Sequence, residues 1–321
     1  MSKTKSKEYN IYWANLCILH RMEKERMDAA LQAWHTDEKP EIKMNYLGNT
    51  DEIHIYDQVD KDLESGKTNF DAIVSNRFDL FCFTKYLNTY KDELYPMADK
   101  FPIRKEVKEC GVIDPFGLLF PLVVLPHLIV CNMGLVDTKD VPCSLEELLE
   151  PKWSGKIFIG STSLASARSI LFAMWYKFGN KGLETCVKNW RQKNAPSAVR
   201  HSLIKKELLI GILPSIFTGA GPQDVLTAVY PVEGAPIVPS YLAVKKSEHI
   251  DYLIDFLSKS VLSNDLVSFY RDNAHAFPAN PEVKIPEIYP SNINMFFPDW
   301  EWALKQDIEY FYDACSRVPF E

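Results

Sequence analysis

The sequence predicts an α/β protein of two units joined by a pair of crossing segments, with a cleft between the units. Three observations carry that expectation. Strand-like and helix-like stretches alternate through the first third; a continuous apolar stretch, residues 122–131, is placed to carry the chain from one unit to the other; and 321 residues exceed what one core usually holds. The alternation opens with a β-rich run at 9–14 and continues at 20–34, where Met22, Met27, Ala30, Leu31 and Trp34 recur at helical spacing. Residues 41–47 read as a second strand with Ile42, Met44 and Tyr46 on one face, 51–64 as a helix, and 69–75 as a third strand.

Past the crossing stretch, residues 142–151 read as a short acidic helix, because Ser144 and Glu147 have capping-box spacing. A strand is expected at 156–160, a helix opened by Ser163 or Ser166 and running to 178, and another helix at 183–192. Strands follow at 208–213, 226–230 and 236–244, helices at 250–262 and 265–273, and an aromatic-rich amphipathic helix at 300–315. Two crossings make the second unit an insertion. The first unit is residues 1–132 plus 236–321, braced by the carboxyl-terminal helix, and the second is residues 133–235.

Composition narrows the functional classes. With 36 basic and 43 acidic residues the net charge is −7, and no dense basic run occurs, which argues against general nucleic-acid binding. Thirteen glycines against twenty prolines leave no phosphate-cradling loop of the G-x-G-x-x-G or P-loop kind, and the prolines read as chain reversals and strand edges. The longest apolar run, 116–131, contains Pro121, Pro126 and His127 and is shorter than the roughly 20 residues a membrane helix needs. The seven histidines show neither H-x-x-x-H nor H-E-x-x-H spacing, so neither a metal nor another cofactor is expected. Thr162 stands where a nucleophile elbow after Gly160 would need serine. An enzyme would have to rely on Cys17 and His20. Seven scattered cysteines without C-x-x-C, and no apolar stretch after the lysine-rich start, give a cytoplasmic expectation; a removed leader would make it periplasmic or extracellular.

Four ordered stretches resemble one family. Residues 141–157, VPCSLEELLEPKWSGKI, are similar to the P-x-S-W-E-D-L-L-D-P-K-W-K-G-K-I segment of type II periplasmic binding proteins of ABC importers. Residues 229–245, VYPVEGAPIVPSYLAVK, resemble that family's return segment, 250–262 its F-I-D-F-L-L-S helix, and 277–283, FPANPEV, its Y-P-V-N-P-x-V turn. The branch is that of ferric-iron, thiamine, polyamine and phosphonate receptors. The resemblance implies a monomer that closes on a small ligand by hinge motion, performs no chemistry, and hands its ligand to a permease. A ligand sensor or a cytosolic enzyme on the same fold is the alternative. Iron-binding members carry adjacent tyrosines where this chain has ELLIGILPSIFT at 207–218, and the lack of phenolates there argues against ferric iron.

In such a fold ligands sit at the carboxyl ends of strands. The candidates after the first strand are Asn15 and Cys17. After the third they are Ser75, Asn76 and Arg77, where Arg77 either forks onto a carboxylate or phosphonate or pairs with Asp79 or Glu64. Ser161, Thr162 and Ser163 either offer amides to an anion at a helix start or cap that helix. Arg168 points into the cleft or lies on a solvated helix face. Phe217, Thr218 and Tyr241 either meet the ligand or belong to the core. The ligand this set suits is a small anion or zwitterion.

Overall fold

The structure, a computed structural model, describes residues 8–36, 40–46, 69–84, 87, 88, 91–218 and 225–321; the helix expected at 51–64, and Glu64 with it, lies outside them. Strand β1 (Glu8–Ala14) leads through a tight turn at Cys17–Leu19 into helix α1 (His20–Trp34), and β2 (Glu41–Tyr46) and β3 (Ala72–Ser75) flank β1, both parallel to it. Next come α2 (Asp79–Cys82), β4 (Leu94–Tyr95), α3 (Lys105–Glu109) and the long strand β5 (Phe120–Asn132), buried along its whole length. The middle of the chain supplies β6 (Ile157–Ile159), α4 (Ala165–Asn189), β7 (Trp190–Gln192), α5 (Pro196–Ile204), β8 (Ile210–Pro214) and β9 (Leu226–Val229). The second long strand, β10 (Ala235–Lys245), precedes α6 (Ile250–Lys259), α7 (Asn264–Ala274), β11 (Phe277–Pro278), β12 (Met295–Phe296), α8 (Trp300–Ala303) and α9 (Ile308–Ser316).

The strands form one sheet of order β2-β1-β3-β10-β5-β8-β6-β7, with β4, β9, β11 and β12 added on β5 and β10. Its two flanks are parallel, β2-β1-β3 on one side and β8-β6-β7 on the other. Between them β10 and β5 run antiparallel to each other. Strand β5 pairs with β10 up to Pro126 and with β8 from His127 onward, so one strand belongs to both halves.

The long strands correct the reading of the prolines as edge markers. Pro121 and Pro126 lie inside β5, and Pro236 and Pro239 inside β10, at the centre of the sheet. A proline removes one ladder donor. Here that loss accompanies a register shift between Ser240 and Tyr241, opposite Pro121, where a regular ladder gives way to a bend.

Four of the expected helices take another form. At 142–151 Ser144 Oγ does accept the Glu147 amide at 3.1 Å, and the Glu147 carboxylate accepts the Cys143 amide at 2.9 Å, but only the short turns Glu147–Leu149 and Pro151–Trp153 form. Pro151, lacking an N–H, separates them. The two helices expected at 163–192 are α4, bent at Gly179 with φ +64°, and its end gives way at Trp190 to a strand paired with β6. The last helix is two, because Asp307 starts a new one by accepting the Glu309 and Tyr310 amides.

Candidate functional site

The carboxyl ends of β3 and β6 and the first turns of α4 meet at Asp79. Its carboxylate is wholly buried and takes the Arg77 guanidinium in a forked pair at 3.0 Å, the Tyr312 hydroxyl at 2.8 Å, and Arg168 Nη1. Burial alone would raise its pKa, but Arg168 and Arg77, with the Tyr312 hydrogen bond, hold it well below the usual carboxylate range. Arg77 therefore takes the pairing with Asp79 that its spacing offered. Ser75 Oγ, also buried, accepts the Arg77 amide at 3.0 Å and fixes the turn. Asn76 is half-buried and its amide extends the β1 contact through Ala14 O at 3.3 Å.

Arg168 lies neither in open solvent nor free in a cleft. Its Nε donates to Thr162 O at 3.0 Å and its Nη2 to Ser163 O at 2.6 Å, while the group sits over the Tyr312 ring. It straps the turn after β6 to Asp79. Within that turn Ser161 and Ser163 share a hydroxyl hydrogen bond of 2.8 Å, and Ser161 Oγ accepts the Ser163 amide at 3.3 Å. The Thr162 amide donates to Gln192 Oε1 at 2.7 Å and the Leu164 amide to Ser161 O at 2.9 Å. The amides of Ala165 and Ser166, at the head of α4, precede the first residue with an intrahelical acceptor, which is where an anion finds donors. Gly160 leads into this turn because a Cβ there would lie 2.6 Å from Pro196 Cδ.

Asn15 is buried within the first half. Its side-chain amide donates to the Tyr270 hydroxyl at 2.8 Å and Glu23 Oε1 at 3.3 Å, and its carbonyl accepts the Ser240 hydroxyl at 2.8 Å. Glu23 also accepts Trp13 Nε1 at 3.1 Å and the Tyr270 hydroxyl at 2.8 Å. Burial pushes its carboxyl up to about 7, against the pull of those donors. Cys17 begins the turn into α1, and His20 is the first residue of that helix, its ring edge-on to Tyr46. Tyr241 is core: fully buried, it donates to Val112 O at 2.7 Å and packs on Phe81 and Trp300. Phe217 packs on a small apolar cluster beside α5, and Thr218 bonds back to Ser215 O at 2.8 Å.

Sequence reasoning passed over His127. It stands on β5 opposite Pro214, the last residue of β8, with its Nδ1 3.4 Å from Pro236 O and its Nε2 without a hydrogen-bond partner among the described residues. Burial lowers its pKa to about 4. Gln192 and Tyr312 were passed over as well, with no local signal to mark them, whereas Asp79, two residues after Arg77, was named only as that arginine's partner.

Two α/β flanks joined by two shared strands, with polar turns meeting at strand ends, define a two-domain ligand-binding protein of the periplasmic type. A profile of the bacterial extracellular solute-binding protein family matches residues 67–306, and the chain belongs to that family. No curated protein sequence matches. Among solved structures, the ferric binding protein from Campylobacter jejuni aligns with a TM-score of 0.69 at 15% identity, covering 97% of this chain and 98% of its own. Iron-bound HitA from Pseudomonas aeruginosa aligns with a TM-score of 0.67 at 14% identity over 96% and 99% of the two chains. AfuA from Actinobacillus pleuropneumoniae, solved with exogenous fructose-6-phosphate, aligns with a TM-score of 0.65 at 12% identity over 98% and 99%.

The family corrects the cytoplasmic expectation, since its members are extracellular solute-binding proteins. The cysteines misled for a physical reason. Cys82, Cys110, Cys131, Cys186 and Cys315 are free and buried, serving as small apolar side chains, a role that does not depend on the redox state outside the protein.

Proposed function

We propose that this solute-binding protein captures a small anionic or zwitterionic solute between its two halves, opening and closing about β5 and β10, and presents it to an ABC permease. The observation that carries this reading is the meeting of Arg77, from the end of β3, with Arg168, from α4, on one buried carboxylate. In the described conformation Ser75 and Asp79 have no exposure and Arg77 and Arg168 very little, so a solute reaches these turns only when the halves part. The reading divides the protein at the two long strands, and it groups α9 with α4, against which it packs through Phe311 on Phe172 and Trp175. It assigns no chemistry to Cys17 or His20. Donors at the head of α4 and two guanidiniums nearby suit phosphate or carboxylate. No phenolate pair stands at 207–218 to hold ferric iron.

The test is titration calorimetry with inorganic phosphate, fructose 6-phosphate, citrate and ferric citrate, alongside thermal melts. Binding of one or more of the iron-free anions, with a rise in melting temperature, is expected. Binding of ferric citrate alone, or of none of the four, would overturn the reading.

A further inference from the structure

The turn after β6 is gripped from behind by a residue that belongs to no expected site. Gln192, the last residue of β7, is 1% exposed and uses both ends of its amide. Its Oε1 accepts the Thr162 amide at 2.7 Å and the Thr162 hydroxyl at 3.2 Å. Its Nε2 donates to Val318 O at 2.6 Å. Its backbone meanwhile pairs with the end of the chain: the Gln192 amide donates to Pro319 O at 2.9 Å and Gln192 O accepts the Glu321 amide at 3.1 Å, a parallel bridge to Phe320. Residues 318–321 thus add a single parallel bridge at the edge of the β6-β7 flank, and one buried side chain ties that segment to Thr162.

We propose that Gln192 is a positioning residue through which the carboxyl-terminal tail, residues 318–321, sets the shape of the ligand turn at 161–164; the ligand role of that turn rests on the function proposed above. The chemistry favours a coupled arrangement. An amide oxygen can hold the Thr162 N–H only while the amide plane is fixed, and the opposite end of that plane is fixed by Val318 O. Arg168 holds the carbonyls of Thr162 and Ser163 from the other side. With both faces tied, the turn presents the head of α4 in one orientation, as a site that discriminates among ligands requires. The tail is anchored where Arg317 grips Glu184 at 2.8 Å and Asp313 at 3.0 Å, both on exposed side chains. Loosening that anchor reaches the ligand turn without touching it.

The experiment is amide hydrogen exchange of the full chain, of Gln192→Leu, of a chain ending at Arg317, and of the two changes combined. Both single changes are expected to speed exchange of the Thr162 amide at least about tenfold while leaving Phe158 and Ile159 protected in the sheet. The combination should add little beyond either alone, because both cut one linkage. Should the shortened chain fail to fold, Arg317→Ala takes its place, with a smaller effect in the same direction. Affinity for inorganic phosphate, measured well below the melting temperature, should weaken about tenfold in Gln192→Leu. Unchanged Thr162 exchange in Gln192→Leu, or effects of the two changes that add in full, would overturn the coupling. A wild-type chain that ignores phosphate counts only against the anion reading, since exchange at Thr162 is read without ligand.

Discussion

Asp79 and Glu23 are both carboxylates without exposure to solvent, one at the meeting of the two halves and one inside the first half. Both are paid the full penalty of desolvation, and they end on opposite sides of the ordinary carboxyl range. Glu23 takes hydrogen bonds from the side chains of Trp13, Asn15 and Tyr270 and from the Leu16 backbone, all neutral. Those hydrogen bonds lower its pKa without overcoming burial, and it settles at about 7. Asp79 has Arg168 and Arg77, and their full charges reverse the sign of the shift. Neutral donors make a buried carboxyl tolerable, whereas guanidiniums make it a permanent anion. A permanent anion suits the place where loops of both halves must be held in register.

The largest expected effect follows from breaking the charged cluster. Asp79→Ala leaves Arg168 buried without its carboxylate, and urea denaturation should show a loss of about 3–5 kcal/mol. Glu23→Gln keeps the shape of its cluster and should cost about 1 kcal/mol, since one amide donor then faces another donor. A loss in Glu23→Gln as large as that in Asp79→Ala would end the contrast between the two sites.

A second effect is visible only against pH. Glu23 titrates at about 7 in the folded chain and near 4.5 when unfolded, so the native state keeps a proton that the unfolded chain releases. Its contribution is full below 4.5 and is lost as pH rises through 7. His127 does the reverse: lowered from 6.5 to about 4, it contributes fully above 6.5 and loses that contribution as pH falls through 4. Each spans about 3 kcal/mol at most. Between 4.5 and 6.5 the two slopes oppose each other, and urea midpoints of the wild type should change little across that window. Glu23→Gln should then gain stability as pH rises there, and His127→Gln should lose it. Parallel slopes in the two variants would show that these groups do not set the pH response. Asp79, with its pKa lowered below 3.8, contributes above that value and fails only in stronger acid.

The same contrast explains what the sequence made legible. Strands β1, β2, β3, β6, β8, β9 and β10 and helix α1 follow from periodicity, and α1 runs from His20 to Trp34 as its apolar spacing predicts, whereas β7 was read as the end of a helix. The crossing strand β5 was readable because burial on both faces writes a continuous apolar run, and the fold because four ordered stretches resemble one family. Arg77 and Asp79 were readable as a pair because they are two residues apart. Arg168, Gln192, Tyr312 and Ser240 were not, since each acts on a partner distant in the sequence and nothing local marks it. Ser75 and Tyr241 stand on strands, where a polar or aromatic residue looks the same whether it faces ligand or core.

Asn15 offers the finest test of that last ambiguity. Its position after β1 suits ligand contact, yet its side chain is engaged by Glu23, Tyr270 and Ser240. Ser240→Ala removes the hydroxyl that donates to Asn15 Oδ1 and leaves that buried oxygen without this donor, at a cost of about 1–2 kcal/mol. Because Asn15 keeps its other two partners, the side chain should stay in place. Thermal melts should therefore record the loss while the affinity for any solute bound in the calorimetric panel stays within about twofold, a change of less than 0.5 kcal/mol. A fall in affinity beyond that would mean that Asn15 faces the ligand in the open protein and that the Glu23 cluster is the platform on which the first half of the site is built.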